Sequence, residues 1–256
     1  MKSHITAENL AKTYRNEKEK IPALENVSLT VKENEFVSVI GSTGCGKTTF
    51  LKIVGGLLEP TSGNILIGGY PPLVALKHHK IGFVFQESSL LPWRTAYENI
   101  RLATEIRGIN NGDGKIIEEI MDLVGLTKYS HLLPAQLSGG MRACVSIART
   151  FSITPSVLLM DEPFSNLDEI TRQKMNELLL RLCIGRNITS IFVTHNISDA
   201  VFLSDRVVIL TKRPAAIKKI IEVGFSRPRT NDLRFENKFS EKVREVYEIL
   251  AEANRE

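Results

Sequence analysis

Gly41-Ser42-Thr43-Gly44-Cys45-Gly46-Lys47-Thr48-Thr49 stands between two segments of different period, and its reading decides the fold. Before it, Glu35 to Ile40 alternates and is rich in β-branched residues, as a strand should be. After it, Lys47 to Val54 reads as a helix. Glycines at 41, 44 and 46 let the backbone turn with its N–H groups pointing inward, and the helix N-terminus adds partial positive charge. A strand–loop–helix of this composition is a device for holding polyphosphate. In it Lys47 would reach the β- and γ-phosphates, Thr48 would offer a hydroxyl to Mg²⁺, and Thr49 one to a phosphate oxygen.

The chain has 256 residues and is 43% hydrophobic, enough for one large domain or two small ones with a sizeable core. Cys45, Cys144 and Cys183 are scattered, odd in number and without a CxxC pair, which argues against a disulfide framework or a zinc site and for a reducing cytosol. Met1 to Leu10 lacks the apolar core of a signal peptide, and no run approaches the ~18 apolar residues of a membrane span, so a membrane role must come through a partner. Net charge is only +4, with the basic residues spread along the chain, so no nucleic-acid partner is expected. The densest basic stretch, Lys212 to Lys219, reads as a solvated turn and strand edge.

Short strands dominate the first part: Val27, Leu29 and Val31 alternate with polar residues, followed by Ile65 to Ile67 and Ile81 to Phe85. Turn residues at Pro60 to Gly63 and Gly68-Gly69 point to antiparallel pairing near the N-terminus. Residues 88–153 change to a helical pattern, with expected helices Glu98 to Arg107, Lys115 to Val124 and Gly139 to Phe151. Beyond them Val157 to Met160, Ser190 to Thr194 and Val207 to Leu210 are apolar strands separated by helical segments, the grammar of a parallel sheet buried on both faces. Phe235, Phe239, Val243, Val246 and Leu250 recur at steps of four or three and define one face of a C-terminal amphipathic helix within residues 229–256.

Val157 to Met160 runs directly into Asp161-Glu162, which places two carboxylates at the carboxyl end of a buried strand, where open α/β sheets bind ligands. Asp161 would belong to the Mg²⁺ shell, and Glu162 would orient or deprotonate an attacking water. Leu137-Ser138-Gly139-Gly140-Met141 precedes another helix, so Ser138 and the N–H groups of Gly139 and Gly140 form a second anion-binding helix end. One γ-phosphate does not need two such sites from one chain.

With this motif the sequence resembles the ATP-binding-cassette ATPases, in which two subunits pair head to tail and each supplies the signature to the nucleotide on the other. The likeness runs from Ile5 to about Arg229 with the motifs in the family's order. It implies an α/β P-loop NTPase fold: a RecA-like parallel core, an N-terminal antiparallel β subdomain and an inserted helical signature subdomain, the cassette spanning residues 1–228. By the same resemblance Tyr14 stacks on adenine, and Gln86 senses Mg²⁺ and water and links to the membrane partner. Asp168 communicates between subunits, and His195 contacts the γ-phosphate. The chain departs from the family at Met141, where a Gln is common, at Arg142-Ala143-Cys144, where a further Gln-Arg pair is usual, and at Asn166, in place of Ala.

Leu90-Leu91-Pro92-Trp93, Thr95 to Ile100, the ending of the signature in Met141, Arg213-Pro214 and Phe225 to Arg229 look like the importer subfamily for nitrate, sulfonates and taurine. Large apolar residues such as Leu91 and Trp93 on a loop after Gln86 fit contact with a membrane subunit, the competing reading being packing onto the helical segment. The resemblance implies a transport ATPase with ATP and Mg²⁺ as cofactors, a second copy of itself as partner, and a separate permease that holds it at the cytoplasmic face of the membrane. A solute-binding protein is implied indirectly. The reading from another class is a cassette ATPase acting on DNA or ribosomes. Those generally carry two cassettes or a long coiled-coil insertion, and this chain has neither.

Overall fold

A computed structural model describes residues 3–15, 19–108 and 113–255; Met1, Lys2 and Glu256, at the ends of the two expected units, lie outside them. Two sheets organise the chain. The first is antiparallel, in the order β2–β1–β4, from β1 (Ser3–Arg15), β2 (Lys20–Lys32) and β4 (Ser62–Ile67). Val27, Leu29 and Val31 point into its core, as their alternation requires.

The second sheet has the order β5–β6–β7–β3–β8–β9. Its members are β3 (Phe36–Ile40), β5 (Ile81–Val84), β6 (Val157–Asp161), β7 (Thr189–Val193), β8 (Arg206–Leu210) and β9 (Ile217–Glu222). The first five are mutually parallel, while β9 pairs antiparallel with β8 and closes one edge. The sheet is therefore mixed and not purely parallel, because the short return at 211–216 leaves no room for a crossover helix. Successive side chains of each central strand enter different cores. Phe36, Ile40, Leu158 and Met160 face the helices on one side, and Val37, Val39, Val157 and Leu159 face the antiparallel sheet and α1 (Lys47–Val54) on the other.

The helical segment interrupts the neighbours β5 and β6. It contains α3 (Ala96–Ile106), α4 (Asp113–Leu123) and α5 (Gly139–Phe151), which follow α2 (Pro72–Lys77). Both α3 and α4 begin two residues before the expected starts. For α3 the reason is a capping box: Thr95 Oγ1 accepts from the Glu98 N–H at 3.2 Å, and Glu98 Oε2 accepts from the Thr95 N–H at 2.8 Å. The remaining helices are α6 (Glu169–Gly185), α7 (Ile197–Leu203) and α8 (Asn237–Ala253).

Helix α8 packs on α7 and β8, with Phe239 and Val246 buried and Val243 and Leu250 half-buried. Phe235 departs from the expected face: it is 85% exposed, at the end of a 3₁₀ turn (Asn231–Phe235). Glu236 is extended between that turn and the helix, so Phe235 falls outside the helical period. Among the described residues no helix is long and apolar enough to cross a membrane. Cys45, Cys144 and Cys183 are buried free thiols, and burial pushes Cys144 up to about 11 and Cys183 to about 12.

Candidate functional site

The carboxyl ends of β3, β5, β6 and β7 deliver the loop of residues 41–49, Gln86, Asp161, Glu162 and His195 to one edge of the parallel sheet. From β3 the chain enters the loop of residues 41–46 and then α1. Gly46 has a φ of 134°, and a Cβ there would stand 2.7 Å from the Ala23 carbonyl oxygen, so only glycine fits. It caps α1 without any side-chain bond, which leaves the first N–H groups of the helix for a ligand. Lys47 is buried, and its Nζ donates to the Gly41 and Ser42 carbonyls at 2.9 and 3.0 Å. The ammonium thus lies curled inside the loop whose phosphate it was expected to hold.

From β6 come both carboxylates. Asp161 is buried, and its Oδ1 accepts from Thr48 Oγ1 at 3.1 Å. Burial pushes the Asp161 carboxyl up, Thr48 opposes this, and the Glu162 charge adds to it. Glu162 stands at a φ of 45°, a left-handed conformation unusual for a residue with a Cβ, and its N–H bonds the Val193 carbonyl at 2.9 Å. The turn brings Glu162 Oε2 within 2.8 Å of His195 Nδ1, delivered by β7.

Thr43, Lys47, Thr48, Gln86, Glu162 and His195 line one cleft of about 430 Å³. Gln86 also borders a neighbouring groove of about 250 Å³ beside Gly139 and Leu167, and its Nε2 lies 3.4 Å from Ser165 Oγ. Tyr14, on β1, is half-exposed, with its hydroxyl 3.2 Å from Thr49 Oγ1 at the head of α1.

Ser138, Gly139 and Gly140 do not line the cleft, and neither does Asp168. Ser138 caps α5 by accepting from the Met141 N–H at 3.2 Å, and Arg142 Nη1 reaches back to the Leu137 carbonyl at 2.6 Å. Asp168 caps α6 by accepting from the Thr171 N–H at 3.0 Å, a bond that holds its carboxyl below the usual range. The second helix end is thus capped by Ser138 and lies outside the cleft. A larger cleft of about 600 Å³, around His78 and His79 at the amino ends of the strands, contains none of the predicted residues.

Two cleft residues escaped the sequence reading. Arg213, placed with the basic turn, lines the cleft beside Ala23, and its Nε donates to the Pro22 carbonyl at 3.1 Å. No local signal shows this, because the contact joins residues 191 positions apart.

Residues 24–165 match the ABC transporter family. The nitrate import ATP-binding protein NrtD of Synechococcus elongatus is 41% identical over 227 residues, covering 87% of this chain and 82% of that protein. The bicarbonate transport ATP-binding protein CmpD of Synechocystis is 41% identical over 232 residues, covering 89% and 82%. Among solved structures, the dimeric post-hydrolysis state of the ATP-binding cassette MJ0796 bound to ADP and Pi superposes with a TM-score of 0.76 at 34% identity, covering 86% of this chain and all of that one. With its phosphate loop, its carboxylates at a strand end and this match, the chain belongs to the ABC transporter family as an ATP-binding and ATP-hydrolysing cassette.

Proposed function

We propose that this cassette is the ATPase subunit of an importer: it pairs head to tail with a second copy on ATP and drives a separate permease for nitrate, a sulfonate, taurine or a similar small solute. The observation that carries the pairing is the division of the site. The cleft holds the loop, Glu162 and His195, whereas the helix end at Ser138 opens outside it. A second chain turned head to tail would close the cleft with its own Ser138, Gly139 and Gly140. Names of relatives as nitrate and bicarbonate import proteins support the solute class, a small oxyanion.

In this reading the α1 N–H groups and Lys47 hold the phosphates, with Lys47 exchanging two carbonyl oxygens for phosphate oxygens. Tyr14 carries adenine. The oxygens of Thr48 and Asp161 converge within 3.1 Å, a hard donor set that with Gln86 fits Mg²⁺ shared with substrate phosphates. When bound, that ion neutralises phosphate charge. Glu162, fixed by His195, orients a water and takes its proton as the water oxygen attacks the γ-phosphorus. The bond from phosphorus to the bridging oxygen breaks, ADP leaves with that electron pair, and His195 faces the departing phosphoryl oxygens. Asp168 answers the other subunit. The cassette would span residues 1–228, with residues 88–153 as the helical subdomain and 229–256 as a C-terminal extension, held by the permease at the cytoplasmic face of the membrane.

Purification of the tagged chain from detergent-solubilised native membranes tests this. Recovery of a polytopic membrane protein in stoichiometric amount is the expected result, and recovery of ribosomes or DNA instead would refute it.

A further inference from the structure

Asp199, in the first turn of α7, is a buried carboxylate gripped from three sides. Its Oδ1 accepts from Asn176 Nδ2 at 2.7 Å, Arg172 Nε of α6 lies 3.1 Å from Oδ2, and Arg234 Nη2 lies 3.2 Å from Oδ1. Arg234 comes from the 3₁₀ turn of the C-terminal segment. Its other nitrogen, Nη1, donates to Ser198 Oγ at 2.6 Å, and its guanidinium lies 4.4 Å from the centre of the Phe202 ring. One rigid fork therefore holds two consecutive residues of α7 and stacks on a third.

The same helix begins directly after His195. Asn196 caps it by accepting from the Asp199 N–H at 3.0 Å, and the Asn196 N–H is bound by Thr194 Oγ1 at 3.0 Å. A cavity of about 30 Å³ has Glu162 and His195 in its wall together with Arg172 and Asp199. Arg172 also pairs with Glu169, in the turn capped by Asp168. Apolar packing through Phe239 and Val246 already anchors α8, so a buried arginine, whose desolvation is costly, is not needed for attachment alone.

We propose that Arg234 is a positioning residue for ATP hydrolysis: the C-terminal segment sets the first turn of α7 through Ser198 and Asp199 and thereby the place of His195 against Glu162. This rests on the reading of Glu162 and His195 as the hydrolytic pair. The segment thus acts on turnover without touching the nucleotide.

The test compares full-length Arg234→Met, Arg234→Lys and Val246→Ala with the parent chain, at a temperature where near-ultraviolet circular dichroism shows each folded. Arg234→Met should lower kcat about tenfold or more, as small misplacements of reacting groups do, with KM for ATP within about twofold. Arg234→Lys should recover part of the loss. Val246→Ala loosens α8 without touching Asp199 and should leave kcat within about twofold of the parent. Parental kcat in Arg234→Met, or an equal loss in Val246→Ala, overturns the proposal. Should Arg234→Met fail to fold, Arg234→Lys carries the test, and parental kcat in it is equally refuting. Glu162→Gln, run in parallel, separates the two readings: full turnover there removes the hydrolytic pair, whereas a dead Glu162→Gln beside a normal Arg234→Met removes only the role of Arg234.

Discussion

Trp93→Ala distinguishes a contact surface from a core. Trp93 is 72% exposed, so little more than a quarter of its side chain is buried within the chain. A fully buried aromatic costs about 3–5 kcal/mol on truncation, and the buried fraction scales this to ~1 kcal/mol, or about 2–4 °C in Tm. The loop does not depend on the indole. Asn99 Oδ1 accepts from the Leu91 N–H at 2.8 Å, Asn99 Nδ2 donates to the Arg94 carbonyl at 2.8 Å, and Arg149 donates to the Ser88 and Ser89 carbonyls at 2.9 and 3.0 Å. Leu90, by contrast, packs on the helical core. If a permease covers the exposed part, roughly 110–180 Å² more of the ring leaves water, worth about 3–4.5 kcal/mol at ~25 cal/mol per Å². Binding should then weaken by at least about tenfold, even after the usual discount for converting area to affinity. Calorimetric Tm, basal ATPase rate and pull-down of the solubilised permease make the assay. A Tm no more than about 4 °C below the parent and a parental ATPase rate, with weakened pull-down, is the expected pattern. A Tm loss above about 8 °C with unchanged pull-down would refute the reasoning, and so would parental behaviour in all three.

Glu162→Gln should keep ATP binding, lose turnover and accumulate an ATP-bound dimer visible as doubled mass in light scattering; near-normal turnover removes Glu162 from its role. Lys47→Ala should weaken ATP binding by about 2–3 kcal/mol, roughly 30- to 150-fold in Kd, while the fold survives; unchanged affinity in a folded variant contradicts the phosphate-loop assignment. Ser138→Arg should bind ATP normally as a single chain and fail to hydrolyse it as a homodimer. Mixed with Lys47→Ala it places both lesions in one composite site, so roughly half the activity per dimer should remain if the sites act independently; complete loss indicates obligatory coupling, and lost ATP binding by Ser138→Arg alone argues that the signature acts within its own chain.

Much of the cleft was legible because its chemistry is local. The loop of residues 41–49, the Asp161-Glu162 pair and His195 each follow a short buried strand directly, so sheet topology alone carries them to one edge. What sequence did not reveal depends on contacts far apart in the chain. Arg213 reaches the cleft because β9 folds back on β8 and sets the return loop against Pro22. Arg234 meets Asp199 across 35 positions of sequence, through the packing of its 3₁₀ turn on α7. Phe235 was misplaced for the opposite reason: its spacing fits the helical face, but the extended backbone at Glu236 breaks the period that spacing assumes. Exposure at Trp93 agrees with the reading of that loop as a contact surface, whereas Leu90 packs inward, a difference that the apolar character of the loop does not show.

The groups left outside the cleft are themselves mechanically joined. A Cβ on Gly140 would meet Thr171 Cγ2 at 2.8 Å, and one on Gly139 would touch Leu167 at 3.4 Å, so the heads of α5 and α6 meet with no space between them. Ser138 caps the one helix and Asp168 the other. What the chain would offer to a second copy is therefore a single packed unit, in which a shift of the signature moves the Asp168 turn with it. Arg172, one turn into α6, continues that unit to Asp199 and so to the helix that begins after His195. In the proposed head-to-tail dimer, a displacement at Ser138 would have a continuous packed path to the Glu162–His195 pair of its own chain, and so would give the two sites a physical means of sensing each other.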